Sequence, residues 1–174
     1  MSDAVLYLLC IAAALLVRQY VFCIVMVKGR SMLSTLHERD VLLALRPLCY
    51  REIRRGDVVL CNYPGRYWQH CRAVPQTFVK RVVALPGETV EIAEGTLLIN
   101  GTALQEPYLD LAHCRFRRNM PARTLGAEEY FVLGDNRDNS NDSRNVGALK
   151  RSAIRARVVK KLFHLPALRR KKRR

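Results

Sequence analysis

TFVKRVVALPGETVEIAEGTLLING, residues Thr77 to Gly101, packs three strand signals and two turns into one run. Thr77 to Leu85 is apolar and β-branched and stops at Pro86-Gly87. Thr89 to Ile92 alternates in polarity, and Leu97 to Asn100 closes on Asn100-Gly101, the signature of a tight hairpin turn. A single basic pair interrupts the first strand. Alternation along a strand sends Lys80 and Arg81 to opposite faces, so one faces an apolar interior or cleft and the other faces outwards or a carboxylate. On composition alone, the simpler reading of Lys80 is an exposed lysine on a sheet edge.

Outward from this run the same grammar repeats. Val41 to Leu45, Asp57 to Tyr63, Glu129 to Leu133 and Ile154 to Phe163 are further short strand candidates, punctuated by Arg55-Gly56-Asp57 and Pro64-Gly65. Strands so spaced argue for a mostly β fold, an irregular antiparallel sheet or barrel-like arrangement. Residues 105–126, basic and holding two prolines, read as an irregular insertion, and no internal repeat is present.

The chain carries 30 basic and 15 acidic residues, a net charge of +15, an excess that suits nucleic acid or an anionic membrane surface. Part of it is the tail ALRRKKRR, Ala167 to Arg174, for which electrostatic attraction to acidic headgroups competes with a merely solvated terminus. RNA binding has no aromatic platform or fold motif to support it, so no specific nucleic acid partner is expected. The six cysteines, Cys10, Cys23, Cys49, Cys61, Cys71 and Cys114, form no CxxC pair. His70-Cys71 and His113-Cys114 fit no ordinary zinc spacing, and the sequence leaves the disulfide state open.

Ala4 to Val17, AVLYLLCIAAALLV, is uninterrupted apolar sequence; Arg18 and Gln19 break it, and Tyr20 to Val27 resumes it. Fourteen helical residues cover about 21 Å, short of the roughly 30 Å hydrocarbon core. Snorkelling by Arg18, with Tyr20 and Phe22 near the interface, extends the usable span to about twenty residues. We read residues 1–22 as a single membrane anchor. A cleaved signal peptide fits less well, because no basic residue precedes the run and no small-x-small site closes it. Asp3 precedes the helix while Arg18, Lys28 and Arg30 follow it, and that charge pattern favours a cytoplasmic C-terminal side.

GDNRDNSNDSR, Gly134 to Arg144, follows the strand-like EYFVL directly. Its Asx and Ser side chains suit a rigid hydrogen-bonded shelf rather than a core. A third segment, GRSMLSTL from Gly29 to Leu36, holds a serine without any triad histidine or GxSxG elbow. A serine hydroxyl needs a base. A free lysine is only about 0.04 % neutral at pH 7, so Lys80 serves only if burial lowers its pKa.

These three segments, in this order and separated by 49 residues (Ser31 to Lys80) and 54 residues (Lys80 to Gly134), resemble the type I signal peptidases, membrane-anchored Ser/Lys-dyad serine proteases, and more closely their Gram-positive bacterial type. The resemblance covers nearly the whole chain and implies Ser31 as nucleophile and Lys80 as general base. Ser140 would hydrogen-bond the lysine amine, Asp142 and Arg144 would pair to brace the shelf, and Asp135 would pair with Arg81. Met32, Gly29, Phe22 and Ile24 would border the substrate, with Phe22 to Val27 as a wall of the groove. The family's usual proline in the nucleophile motif is Ser34 here. Gly29 stands where some members carry an oxyanion-assisting serine, which leaves the oxyanion to backbone amides, including that of Ser31.

The same resemblance implies residues 23–165 as the catalytic domain, residues 166–174 as a basic tail, and no metal or organic cofactor. It implies a single-pass plasma-membrane protein, with the lipid bilayer as one partner and its catalytic domain on the extracytoplasmic side, against the charge count above. Its other partners would be preprotein signal peptides with small residues at the first and third positions before the cut. Three rivals are weighed: a mitochondrial inner-membrane processing peptidase sharing the dyad; a self-cleaving repressor of the same Ser/Lys class, which needs an N-terminal DNA-binding domain where this chain has an apolar run; and a non-enzymatic basic membrane protein that binds anionic lipid or RNA through its tail.

Overall fold

The computed structural model describes residues 3–68, 71–110, 114 and 119–166. The basic tail from Ala167 onward, His70 and His113 lie outside these. One helix, α1 (Asp3–Tyr20), precedes a body built almost wholly of antiparallel strands. Helix α1 is long and apolar enough to cross a membrane, and none of it is buried against the rest of the protein. An apolar helix with no protein covering it is suited to lipid.

The helix stops sooner than the apolar run does. Val21 bonds back to Val17, and the next residues form β1 (Phe22–Met26), paired in register with β2 (Asp40–Leu45) from Phe22↔Leu45 to Met26↔Val41. Phe22 is therefore sheet rather than the end of the anchor. Its β-branched and aromatic neighbours fit a pleated surface better than a helix.

The larger sheet has seven strands in the order β1-β2-β11-β3-β4-β9-β10, with β3 (Val58–Trp68), β4 (Cys71–Ala84), β9 (Glu129–Leu133), β10 (Leu149–Lys150) and β11 (Ile154–His164). The second sheet orders β7 (Thr102–Ala103), β6 (Thr96–Ile99), β5 (Thr89–Ala93) and β8 (Met120–Thr124). Strand β8 falls inside the stretch read as an irregular insertion, which is thus partly ordered sheet. It escaped notice because it is largely exposed and holds Pro121, features of an edge strand without alternation.

Separate apolar clusters lie under each sheet. Val59, Cys61, Tyr63, Val82 and Val132 form one; Val83, Val90, Leu97, Phe131 and Leu133 form another; Val27, Met32, Leu36 and Leu42 pack beneath the Ser31 segment. Strand β4 runs through these clusters, which is why its polar residues end up buried. At Asn100 (φ 51) and Gly101 (φ 78) the hairpin between β6 and β7 takes the left-handed conformations that the Asn-Gly pair predicts.

Candidate active site

Strand β4 delivers Lys80 and Arg81 to different surroundings. Lys80 is 1 % exposed, and its Nζ lies 2.7 Å from Ser31 Oγ, across 49 residues of sequence. The amine also sits 5.9 Å from the Phe78 ring centre. Burial holds the Lys80 pKa below the ordinary lysine value; the charge of Asp142 pulls it upward, and that of Arg144 offsets part of the pull. A buried amine whose closest polar contact is a neutral hydroxyl is poised to be neutral and to accept the hydroxyl proton.

Ser31 sits at the start of a tight turn in which Leu33 bonds to Arg30 and Thr35 and Leu36 both bond to Met32. Gly29 enters this turn at φ 87, a left-handed conformation that penalises any side chain. Glycine there is thus explained by backbone geometry. Asn136 clamps the turn from the shelf, its backbone N–H donating to the Ser31 carbonyl at 3.0 Å and its Nδ2 to the Arg30 carbonyl at 3.1 Å. Thr35 ties the same turn to the shelf by donating to Asp135 Oδ2. Neither Asn136 nor Thr35 was singled out from the sequence. Both contacts span about a hundred residues, and no local pattern announces them.

The shelf is a lattice of charge-assisted bonds. Asp135 accepts from Arg81 Nε at 2.9 Å and from Arg81 NH2 at 2.7 Å, and Arg81 NH1 donates to the Gly56 carbonyl. Asp142, wholly buried, accepts from Arg144 Nε at 2.8 Å and NH2 at 2.9 Å, and from the Gly134 N–H at 3.0 Å, while its side chain also caps α2 (Ser143–Val146). Burial opposes the Asp142 charge, but these donors outweigh it and leave its pKa below the usual carboxylate value.

A Cβ on Gly134 would collide with Ser140 Oγ and with the Ser31 carbonyl oxygen, so the shelf meets the Ser31 turn where only glycine fits. From the shelf, Arg137 bonds Glu106, and the Tyr108 ring stacks 3.9 Å from the Arg81 guanidinium carbon.

Two expectations need correction. Among the described residues, Ser140 Oγ is buried without a full hydrogen bond and none joins it to Lys80; it lies close enough to Asp142 to favour that carboxylate. Phe22 and Ile24 do not line the groove at Ser31. That cavity, of about 400 Å³, is bounded by Val25 to Lys28 and Met32 on one side and by Leu60 and Gln76 to Val79 on the other. Phe22 and Ile24 stand further back along β1, and Ile24 faces a different cavity beside α1. Met32 does line the groove, whereas Gly29 acts through the turn. Ser34 Oγ is buried without a partner, a polar cost at the position where the family's proline would stand.

The chain is similar in sequence to known proteins along most of its length. The family model described as signal peptidase, peptidase S26, matches residues 2–163. The chain belongs to the S26 signal peptidase family. Signal peptidase I of Bacillus amyloliquefaciens is 37% identical over 152 residues, covering 79% of this chain and 72% of that protein. A probable signal peptidase I-1 of Synechocystis is 34% identical over 159 residues, covering 91% and 80%. A crystal structure of a signal peptidase I from Enterococcus faecalis V583 is 32% identical, with a TM-score of 0.49 over 63% of this chain and 98% of that one.

Proposed function

We propose that this chain is a membrane-anchored serine endopeptidase that removes signal peptides from exported preproteins, with Ser31 as nucleophile and neutral Lys80 as general base. The observation that carries the reading is the 2.7 Å contact between a hydroxyl and a lysine amine that is 1 % exposed. Ser31 Oγ attacks the scissile carbonyl as its proton passes to Lys80 Nζ. Backbone amides, including that of Ser31, receive the oxyanion. The Lys80 ammonium returns the proton to the leaving amine, and water, activated by the same lysine, then releases the acyl group.

Substrate binding follows from the strand edges. In the larger sheet β1 pairs only with β2, and β9 pairs with β4 only from Arg81 onward. The β1 edge and residues 76–79 of β4 therefore flank the groove with open backbone, and an extended peptide adds between them as a strand. Val25, Val27, Met32 and Phe78 crowd this space, which favours small residues at the first and third positions before the cut. The anchor runs through Tyr20 in the plasma membrane, and the sheets, from Phe22 onward, work on the extracytoplasmic side.

The test is processing of a purified preprotein by the full chain in detergent. Ser31→Ala should abolish cleavage while leaving the melting temperature within a few degrees, and Ser34→Ala should remain active. Near-normal processing by Ser31→Ala would overturn the assignment.

A further inference from the structure

Where α1 meets the sheets, four guanidinium groups line two adjoining cavities, and among the described lining residues Glu128 alone carries a negative charge. Arg18 in the last turn of the helix, Arg46 after β2, and Arg155 near the start of β11 line a cavity of about 1020 Å³. Arg46 and Arg155 also line an adjoining cavity of about 610 Å³, with Arg151. Among the described residues none of these four takes part in an ion pair. Among the described residues, Arg46 Nε is buried without a hydrogen-bond partner. Leaving a cationic N–H buried and unpaired is costly, so it is a donor that wants an acceptor. Arg151 uses one N–H on the Ile154 carbonyl at 3.5 Å and lies over the Tyr50 ring. The opposing charge is Glu128, which is exposed and borders only the smaller cavity.

Depth and wall chemistry narrow the ligand. As an embedded helix, α1 covers about 27 Å at 1.5 Å per residue, close to the thickness of the hydrocarbon core. Arg18 and Tyr20, and with them the mouths of both cavities, then stand at headgroup level. The larger cavity runs from its guanidinium groups onto Leu15, Leu16 and Ile24, an apolar wall beside a cationic one. A free phosphate has no use for that wall, whereas a phosphate diester carrying acyl chains fits both surfaces. The helix C-terminus presents carbonyls and repels an anion, so attraction here rests on the side chains alone. Planar guanidinium forks match phosphate oxygens in pairs.

We infer that this cleft binds the phosphate of an anionic phospholipid headgroup in the leaflet that receives the C-terminal end of α1. The bound lipid locks the helix to the sheet and fixes the height of the catalytic groove above the bilayer. The inference goes beyond the peptidase reading and depends only on the embedding of α1.

The experiment uses the full chain in neutral detergent micelles, titrated with dioleoylphosphatidylglycerol, dioleoylphosphatidylcholine or inorganic phosphate, reading lipid adducts by native mass spectrometry and the melting temperature. Phosphatidylglycerol should form a retained one-to-one adduct and raise the melting temperature, while the other two at equal concentration should not. The double variant Arg46→Gln, Arg155→Gln should weaken the phosphatidylglycerol effect about tenfold or more. The pair Arg46→Lys, Arg155→Lys, which keeps the charge, should lie between that variant and wild type. Cleavage of a soluble peptide by each variant checks folding, since neither residue touches the active site. Removal of residues 167–174 should leave the adduct intact. Equal binding by the glutamine variant, loss of the adduct with the tail, or an inorganic phosphate effect matching that of the lipid would each overturn the proposal.

Discussion

Lys80 and Arg81 are neighbours on one strand, both buried, yet their surroundings solve opposite problems. Arg81 has a carboxylate on two of its nitrogens, a carbonyl on a third and the Thr35 hydroxyl within 3.1 Å. Its charge is fully matched, and it welds β4 to the shelf. Lys80, one residue away, has among the described residues only a hydroxyl in hydrogen-bond contact, and the nearby Asp142 charge is spent on Arg144. Burial with matched acceptors stores a charge as structure, whereas burial without them expels the charge and leaves a base. The shelf thus serves both residues. It gives Asp135 to Arg81, and it withholds Asp142 from Lys80.

The largest effect that would break this contrast belongs to Lys80→Arg. A guanidinium does not deprotonate in the working range, so acylation should fall by about 10⁴-fold or more, on the scale seen when a dyad or triad member is lost. Single-turnover acylation of a preprotein measures it. An active arginine variant would return Lys80 to the role of a structural cation like its neighbour.

Next in size is Asp142→Ala. It leaves the Arg144 guanidinium, 8% exposed, and the Gly134 N–H without their acceptor. Breaking one partner of a buried pair costs about 3–5 kcal/mol, so both melting temperature and activity should drop. Unchanged melting in a thermal scan would contradict the bracing role.

What the sequence reveals, and what it hides, divides along the same line. The Lys80-Arg81 pair, the alternation of β5 and β6 and the Asn100-Gly101 turn are local signals, and they emerge as drawn. Strand β1 was hidden because its apolar residues continue the anchor without a break, and hydrophobicity alone does not separate a buried strand from a helix. Asn136 and Thr35 were hidden for another reason. Their partners lie far away in sequence, and polar residues in such positions look like any loop residue until the fold closes. Ser140 lies against Gly134 on the shelf, and the bond to the lysine amine assigned to it is missing among the described residues.

Ser140 accordingly makes a smaller and sharper test. The Ser140 hydroxyl lies beside Asp142 without a full hydrogen bond, so Ser140→Ala should move the melting temperature little. If the hydroxyl meets the lysine amine once Lys80 carries the proton, losing that bond to a charged group should cost the rate about 10- to 100-fold. An unaltered rate would show that Ser140 only fills space over Gly134.

The subtlest effect is a displacement along the pH axis. Under the proposed dyad only neutral Lys80 is competent, so acylation should rise with pH and level off above the lysine's pKa, which burial has lowered. Stability should move the same way. The unfolded chain holds its lysine proton to higher pH than the folded one, so the folded state gains stability as pH climbs from the folded pKa towards the ordinary lysine value, and gains nothing beyond it. Arg144 helps to lower that pKa both by its own charge and by neutralising Asp142. In Arg144→Gln the cation is gone and Asp142 is less matched; both changes stabilise the ammonium, so the rising limb should shift to higher pH with the plateau nearly retained. Asp142→Asn should shift it the other way, because the anion that favours the ammonium is removed. Acylation rates from pH 6 to 10 for the three proteins decide the matter. If both variants kept the wild-type limb and merely lowered its height, the shelf would brace the site without tuning the base, and the electrostatic contrast between Lys80 and Arg81 would reduce to one of shape.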